Sequence, residues 1–195
     1  MPKIDNIEET PNPNAIKFIL KEPVTAGTTR SFHSAEDAAA DPLAGPLFAV
    51  GDVSSVFYMD RMITVEKAEE ADWDDLLPRL AVPIRAAEGL SPDGPTSFTK
   101  PAHARQAEGV GGALGALMSD DPRLLRINEI LDEKVRPYLA SDGGWLEVLS
   151  LEDNRLTIRY QGACGSCPSS LTGTLMGIES LVRDEVDPAI EIVAV

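Results

Sequence analysis

The chain has 195 residues, enough for one ordinary domain or two small ones. Hydrophobic residues make up 43% and charged residues 25%, which permits a packed core and argues against global disorder. Acids outnumber bases 32 to 17, a net charge of −15 with no cluster of Lys and Arg; this excludes nucleic acid as a partner and disfavours an anionic membrane surface.

The opening Met1-Pro2-Lys3-Ile4-Asp5 has neither an apolar signal core nor an Arg-rich leader, so the expected location is cytoplasmic. Pro11-Asn12-Pro13-Asn14 is a turn that introduces a strand, Ala15 to Leu20. Ser34-Ala35-Glu36-Asp37 has the form of a capping box opening a short helix through Ala40. Leu43 to Val50 is a second short helical piece. Val53 to Tyr58 and Met62 to Glu66 form a hairpin with Met59-Asp60-Arg61 at its turn. Asp72 caps a helix reaching about Leu90, with Trp73, Leu76, Leu77 and Leu80 on its inner face; Pro78 and Pro83 are expected to bend or interrupt it. The acid-rich stretch from Glu66 to Asp75 reads as a solvated face.

Residues 91–118 are rich in Pro, Gly and Ala and read as a flexible linker. Asp121-Pro122 then supplies an N-cap and a first-turn proline. Leu124, Ile127, Leu131, Val135 and Tyr138 keep helical spacing, with Pro137 kinking the end. Asp142-Gly143-Gly144 is a turn. Leu146 and Val148 alternate on one strand, and Leu156, Ile158 and Tyr160 on its partner, with Asp153-Asn154 between them. Pro168 opens a helix whose apolar face is Leu171, Leu175, Ile178 and Val182, and Ile190 to Val193 is a last strand. The order predicts an α/β chain of the α+β kind. It has two small domains, 1–90 and 119–195, each a small sheet packed with helices, joined by the linker.

Soft metal ligands are few. The histidines, His33 and His103, lie in different segments and read as exposed polar residues. The cysteines, Cys164 and Cys167, stand two residues apart in Gln161-Gly162-Ala163-Cys164-Gly165-Ser166-Cys167-Pro168-Ser169-Ser170. Two thiols at this spacing can point the same way across a tight turn. Gly162 and Gly165 let backbone approach a bulky ligand. A helix starting at Pro168 favours thiolate nearby. The pair alone supports four readings. These are an inert core pair, a thioredoxin-like dithiol, half of a zinc site, and half of an iron–sulfur site. Gly, Ser and Pro around the thiols speak for a loop rather than a core. Two or three strands are fewer than a thioredoxin-like fold requires. The two metal readings leave half of the four ligands to come from a second copy, a partner protein or a small thiol, and a symmetric dimer with facing loops is the simplest closure. From Tyr160 to Val182 there is one acid, Glu179, and no base, a neutral stretch suited to meeting another surface. No phosphate loop, Ser-His-Asp set or acid–base carboxylate pair is present.

Leu139-Ala140-Ser141-Asp142-Gly143-Gly144 with the cysteine segment resembles the C-terminal domain of NifU and Nfu iron–sulfur proteins. Thr10-Pro11-Asn12-Pro13-Asn14-Ala15-Ile16-Lys17-Phe18, Pro42-Leu43-Ala44, Leu47-Phe48, Val53 to Phe57, Ile63-Thr64-Val65 and Asp72-Trp73 resemble the Nfu N-terminal domain. The resemblance covers both domains in the family's order, but not the linker. It implies a non-enzymatic scaffold or carrier. Such a protein holds a labile iron–sulfur cluster between two subunits and receives it from upstream assembly proteins. It passes the cluster on to apo-proteins. The family's paired cysteine ligands map onto Cys164 and Cys167, in a homodimer formed through the cysteine loop. The expected cluster is [4Fe-4S], although a [2Fe-2S] cluster takes the same four thiolates. The cysteine-free N-terminal domain is left with docking, orientation or dimer support. Trp145 departs from the family, which often has Asp after the glycine pair; strand edge and partner contact are equally open roles for it. The rival is a thiol–disulfide oxidoreductase using the same Cys-x-x-Cys.

Overall fold

Six consecutive residues of β2, Ala15–Leu20, show how the first sheet is built. Ile16, Phe18 and Leu20 enter the hydrophobic core, while Lys17 points to the opposite face and is paired with Glu8 at 2.7 Å. The computed structural model describes residues 2–87, 90, 121–165 and 173–195. The chain divides into two compact units, Met1–Pro101 and Ala102–Val195, and each has its own core. The linker at 91–118, His103 and the helix start at Pro168 lie outside the described residues. Among the described residues no helix is long and apolar enough to cross a membrane.

The first unit has a five-stranded antiparallel sheet in the order β1-β2-β5-β4-β3, where β1 is Ile4–Glu9, β3 Thr29–Phe32, β4 Val53–Met59 and β5 Met62–Lys67. The expected hairpin is β4–β5, and its turn holds Asp60 at φ 50°. Two strands, β1 and β3, were not expected. Both are edge strands with no fully buried residue, so their sequences lack an apolar alternation. Ser34 caps α1 (Ala35–Ala38) by accepting from the Asp37 N–H, as its sequence predicts. The next helix, α2 (Ala44–Ala49), is started by buried Asp41, whose Oδ1 accepts from the Leu43 and Ala44 N–H groups. The other oxygen of Asp41 accepts from Tyr58 Oη at 2.7 Å and Arg30 Nη1 at 3.2 Å.

Asp72 caps α3 (Trp73–Ala86) through the Asp74 N–H. The prolines do not interrupt this helix. Leu76, Leu80 and Ile84 recur every fourth residue and are buried. The carbonyls that lose a donor to Pro78 and Pro83 belong to Asp74 and Arg79, exposed residues where water can replace it. The Thr10 to Asn14 segment is a knot of hydrogen bonds made by side chains. Thr10 Oγ1 donates to the Asn12 and Ala15 carbonyls, and buried Lys67 donates to Asn14 Oδ1 at 3.2 Å. Trp73 packs partly buried against the core, its Nε1 donating to the Pro13 carbonyl and its ring 5.8 Å from Lys67 Nζ.

In the second unit, Asp121 caps α4 (Pro122–Lys134) and Pro122 stands in its first turn. The helical spacing fails at its end. The chain breaks at Val135 (φ −123°), and α5 (Arg136–Ser141) begins with Pro137 in its first turn. Pro137 therefore opens a helix instead of kinking one, and Tyr138 is 71% exposed while Leu139 takes the inner place. A three-stranded sheet follows in the order β6-β7-β8, with β6 Gly144–Glu152, β7 Arg155–Gly162 and β8 Glu191–Ala194. The β6–β7 pair is antiparallel and turns at Asp153 (φ 52°); β8 runs parallel to β7, after α6 (Leu175–Glu185). Leu146, Val148, Leu156, Ile158 and Tyr160 face the helices, with Leu124, Ile127, Leu131, Ile178 and Val182 opposite. Arg123 joins three parts of this unit. It bonds Asp121, the Asp153 carbonyl and Asn154 at the hairpin turn, and Asp187 before β8.

Candidate metal centre

The end of the β6–β7 hairpin away from its turn carries the site. Register pairs Gly144 with Gly162, Trp145 with Gln161 and Leu146 with Tyr160. Gly143 (φ 80°) and Gly162 (φ 65°) adopt backbone conformations that a side chain would strain. Between them the Ala163 N–H donates to the Gly143 carbonyl at 3.1 Å. The Gly165 N–H then donates to the Gly162 carbonyl at 3.0 Å, which closes the turn that carries Cys164.

Cys164 is only 2% exposed and belongs to the hydrophobic core of its unit. The backbone here is a turn, as the loop reading expects, but the side chain packs inward. The reason is Gly144. A Cβ at that position would stand 2.8 Å from Cys164 Cβ and 2.9 Å from the Gln161 carbonyl oxygen, and closer still to Cys164 Sγ. The missing methyl group is the space that the sulfur fills. Surface is near, because Gly165 is exposed. Cys167, the other expected ligand, lies outside the described residues.

Two neighbouring side chains carry buried polar atoms. Tyr160 Oη and Gln161 Oε1 have no hydrogen-bond partner among the described residues, while Gln161 Nε2 donates to Glu147 Oε2 at 3.2 Å. Burial pushes the Tyr160 hydroxyl up to about 12, and the charge of Cys164 adds to the effect. Sequence reading placed Tyr160 only as an apolar strand position; the cue available was a hydroxyl where Leu or Ile would fill the same core place. Trp145 is half-buried on the edge strand, with the guanidinium of buried Arg136 5.5 Å from its ring. Arg136 also donates to the Leu146 carbonyl, Asp132 and Asn128. Trp145 thus stands at the strand edge and makes a contact within the chain.

Among the described residues no three His, Cys, Asp or Glu side chains cluster where they could hold a metal ion. His33 is exposed and bonded to Ser31 Oγ at 3.3 Å. The described residues thus bring one soft ligand, Cys164, to the site. The sheet of this unit has three strands among them.

Residues 4–87 match the family model described as scaffold protein Nfu/NifU N terminal, and residues 127–193 match the NifU-like domain. A human protein, "NFU1 iron-sulfur cluster scaffold homolog, mitochondrial", is 34% identical over 177 residues, which cover 90% of this chain and 65% of that protein. The protein of the same name from Drosophila persimilis is 31% identical over 185 residues, covering 90% of this chain and 59% of its own length. This chain therefore spans about three-fifths of the length of the curated relatives it matches. A solution structure of a NifU-like protein from Saccharomyces cerevisiae is 19% identical and covers 48% of this chain and 84% of that one. Its TM-score is 0.42, too partial a likeness to carry an argument. With both domains matched in order along the sequence, the chain belongs to the Nfu/NifU-like family.

Proposed function

We propose that this protein is a scaffold and carrier that holds an iron–sulfur cluster as cargo through Cys164 and Cys167 and hands it to apo-proteins. The observation that carries this reading is the built seat of Cys164. Its sulfur is fixed against Gly144 at the end of the hairpin, in the domain that matches the NifU-like model. A cluster takes four thiolates and one chain has two cysteines, so two chains share it through their cysteine loops. Four-iron cargo is the form we expect.

The seat explains how one site can both hold and release. In the single chain, Cys164 is shielded from oxidants by the core, since access governs thiol oxidation. Loading opens the turn on its exposed Gly165 side, while Gly144 and Tyr160 remain behind the sulfur. An acceptor's cysteines then replace the donor's one at a time, and each chain has only two bonds to give up. The oxidoreductase reading draws no support from a thiol 2% exposed, since a catalytic dithiol presents its attacking sulfur to solvent.

Anaerobic reconstitution tests the proposal. Iron and acid-labile sulfide are measured per chain, with mass under native conditions and Mössbauer spectra. The expected product is a dimer carrying one four-iron cluster, lost in Cys164→Ser and in Cys167→Ser, because serine is a poor ligand for soft metals. Full loading of either variant, or a monomer with a complete cluster, would overturn it.

A further inference from the structure

Tyr160 buries a hydroxyl for which the described residues offer no hydrogen-bond partner. Its residue is 6% exposed, it lies on the helix-facing side of β7 with Leu156 and Ile158, and Oη has no partner among the described residues. Burying a hydroxyl without a hydrogen bond is unfavourable, and phenylalanine would fill the same volume without that cost. Such a group in a native structure calls for an explanation, and a redox, catalytic or ion-binding role is among those that supply one.

The neighbour on the same face points to the last of these. Leu146 lies opposite Tyr160, and the next pair along this face is Gly144 with Gly162. The side chain of Cys164 occupies the space over Gly144. Moving along the sheet from Tyr160, the next side chain in the core is therefore Cys164, and the two groups are electrostatically coupled. A neutral thiol is a weak acceptor. A thiolate accepts strongly, because hydrogen bonds to a charged partner are roughly twice as strong as neutral ones.

We infer that Tyr160 is a positioning residue for Cys164: its hydroxyl donates to Sγ once that sulfur carries the charge of a metal-bound thiolate. In the unloaded chain the donor meets no acceptor among the described residues; the loaded chain uses it. Hydrogen bonds to cluster sulfurs are among the levers that set reduction potential, so the same contact tunes the cargo. The inference rests on the reading of Cys164 as a ligand.

The test compares full-length wild type with Tyr160→Phe, both reduced and anaerobic, using Co(II) as the probe. Three readouts are the melting temperature without metal, Co(II) affinity by chelator competition, and the thiolate-to-Co(II) charge-transfer band. The variant should melt higher without metal, bind Co(II) about 10-fold more weakly, and show a shifted band. A purely structural role would not move that band. Equal affinity with an unmoved band would overturn the inference, and so would a variant that melts lower or does not fold, since the hydroxyl would then be at work in the unloaded chain. Wild type indistinguishable from Cys164→Ser toward Co(II) would instead overturn the ligand reading, and this inference with it.

Discussion

Gly144 and Cys164, twenty residues apart in the chain, share one space: the sulfur lies where the glycine has no Cβ. The second glycine of Asp142-Gly143-Gly144 is thereby a part of the cysteine site. Its own φ is not in the left-handed region, so the requirement is steric, whereas the preceding Gly143, at φ 80°, serves the turn.

Gly144→Ala should overfill this space. The expected cost is about 1–3 kcal/mol of stability in the second unit, with Cys164 pushed toward solvent. Urea unfolding and the alkylation rate of Cys164 measure the two effects. Wild-type stability with Cys164 still protected would contradict the packing argument.

Arg123 predicts an acid-sensitive second unit. Its guanidinium is the leading cause holding the Asp121 carboxyl below the ordinary 3.8; Asp187 is lowered first by the Ala189 N–H and then by Arg123. Carboxyls lowered by folding stabilise the fold above their ordinary value, and that contribution is lost as pH falls through the lowered values. Arg123→Leu should therefore flatten the fall in stability below about pH 4, as well as loosen the hairpin turn. Denaturation curves across acidic pH will show a parallel decline in both proteins if Arg123 has no such role.

Asp41→Ala should act on the first unit alone. It leaves Tyr58, Arg30 and two backbone N–H groups without their shared acceptor, at a cost of about 3–5 kcal/mol. Cluster loading should be unchanged, because both cysteines belong to the other unit. Unfolding followed by Trp73 fluorescence in a Trp145→Phe background, alongside iron per chain, checks both parts; lost loading would place the first unit in the site.

A fragment of residues 119–195 contains both cysteines and the whole of the second core. It should fold, dimerise on loading and hold cluster. On the expectation that the first unit docks or orients the acceptor, delivery should be slower or less selective than with the full chain. Transfer rates with the same acceptor and equal loading decide this: unchanged rate and selectivity would remove the docking role.

Local signals were legible in the sequence. Ser34, Asp72 and Asp121 each cap the helix they announce, and Leu156, Ile158 and Tyr160 alternate as a strand must. Signals that depend on distant partners were not. β1 and β3 are edge strands held by their neighbours' hydrogen bonds more than by their own side chains. Pro78 and Pro83 are accommodated by solvent, and the Val135 break moves Tyr138 off the face that its spacing gave it. Lys67 and Arg136 are buried cations that each take an acceptor from another segment, Asn14 Oδ1 and the Leu146 carbonyl. The motif located Cys164, but its burial depends on a glycine in another strand, which no local pattern reveals.

The parallel pairing of β8 with β7 has a consequence for biosynthesis. Arg155 pairs with Glu191 and Ile158 with Ala194, so both thiols leave the ribosome before the strand that completes their sheet. Until Ala194 has been made, the nascent chain has a two-stranded hairpin with its apolar face incompletely covered, a marginal structure in water. Parallel pairing of distant segments is also among the slower steps of folding. Closure of this sheet is in this way ordered after translation of β8, which pairs with β7 at its Arg155–Ile158 end and not at the turn that carries Cys164.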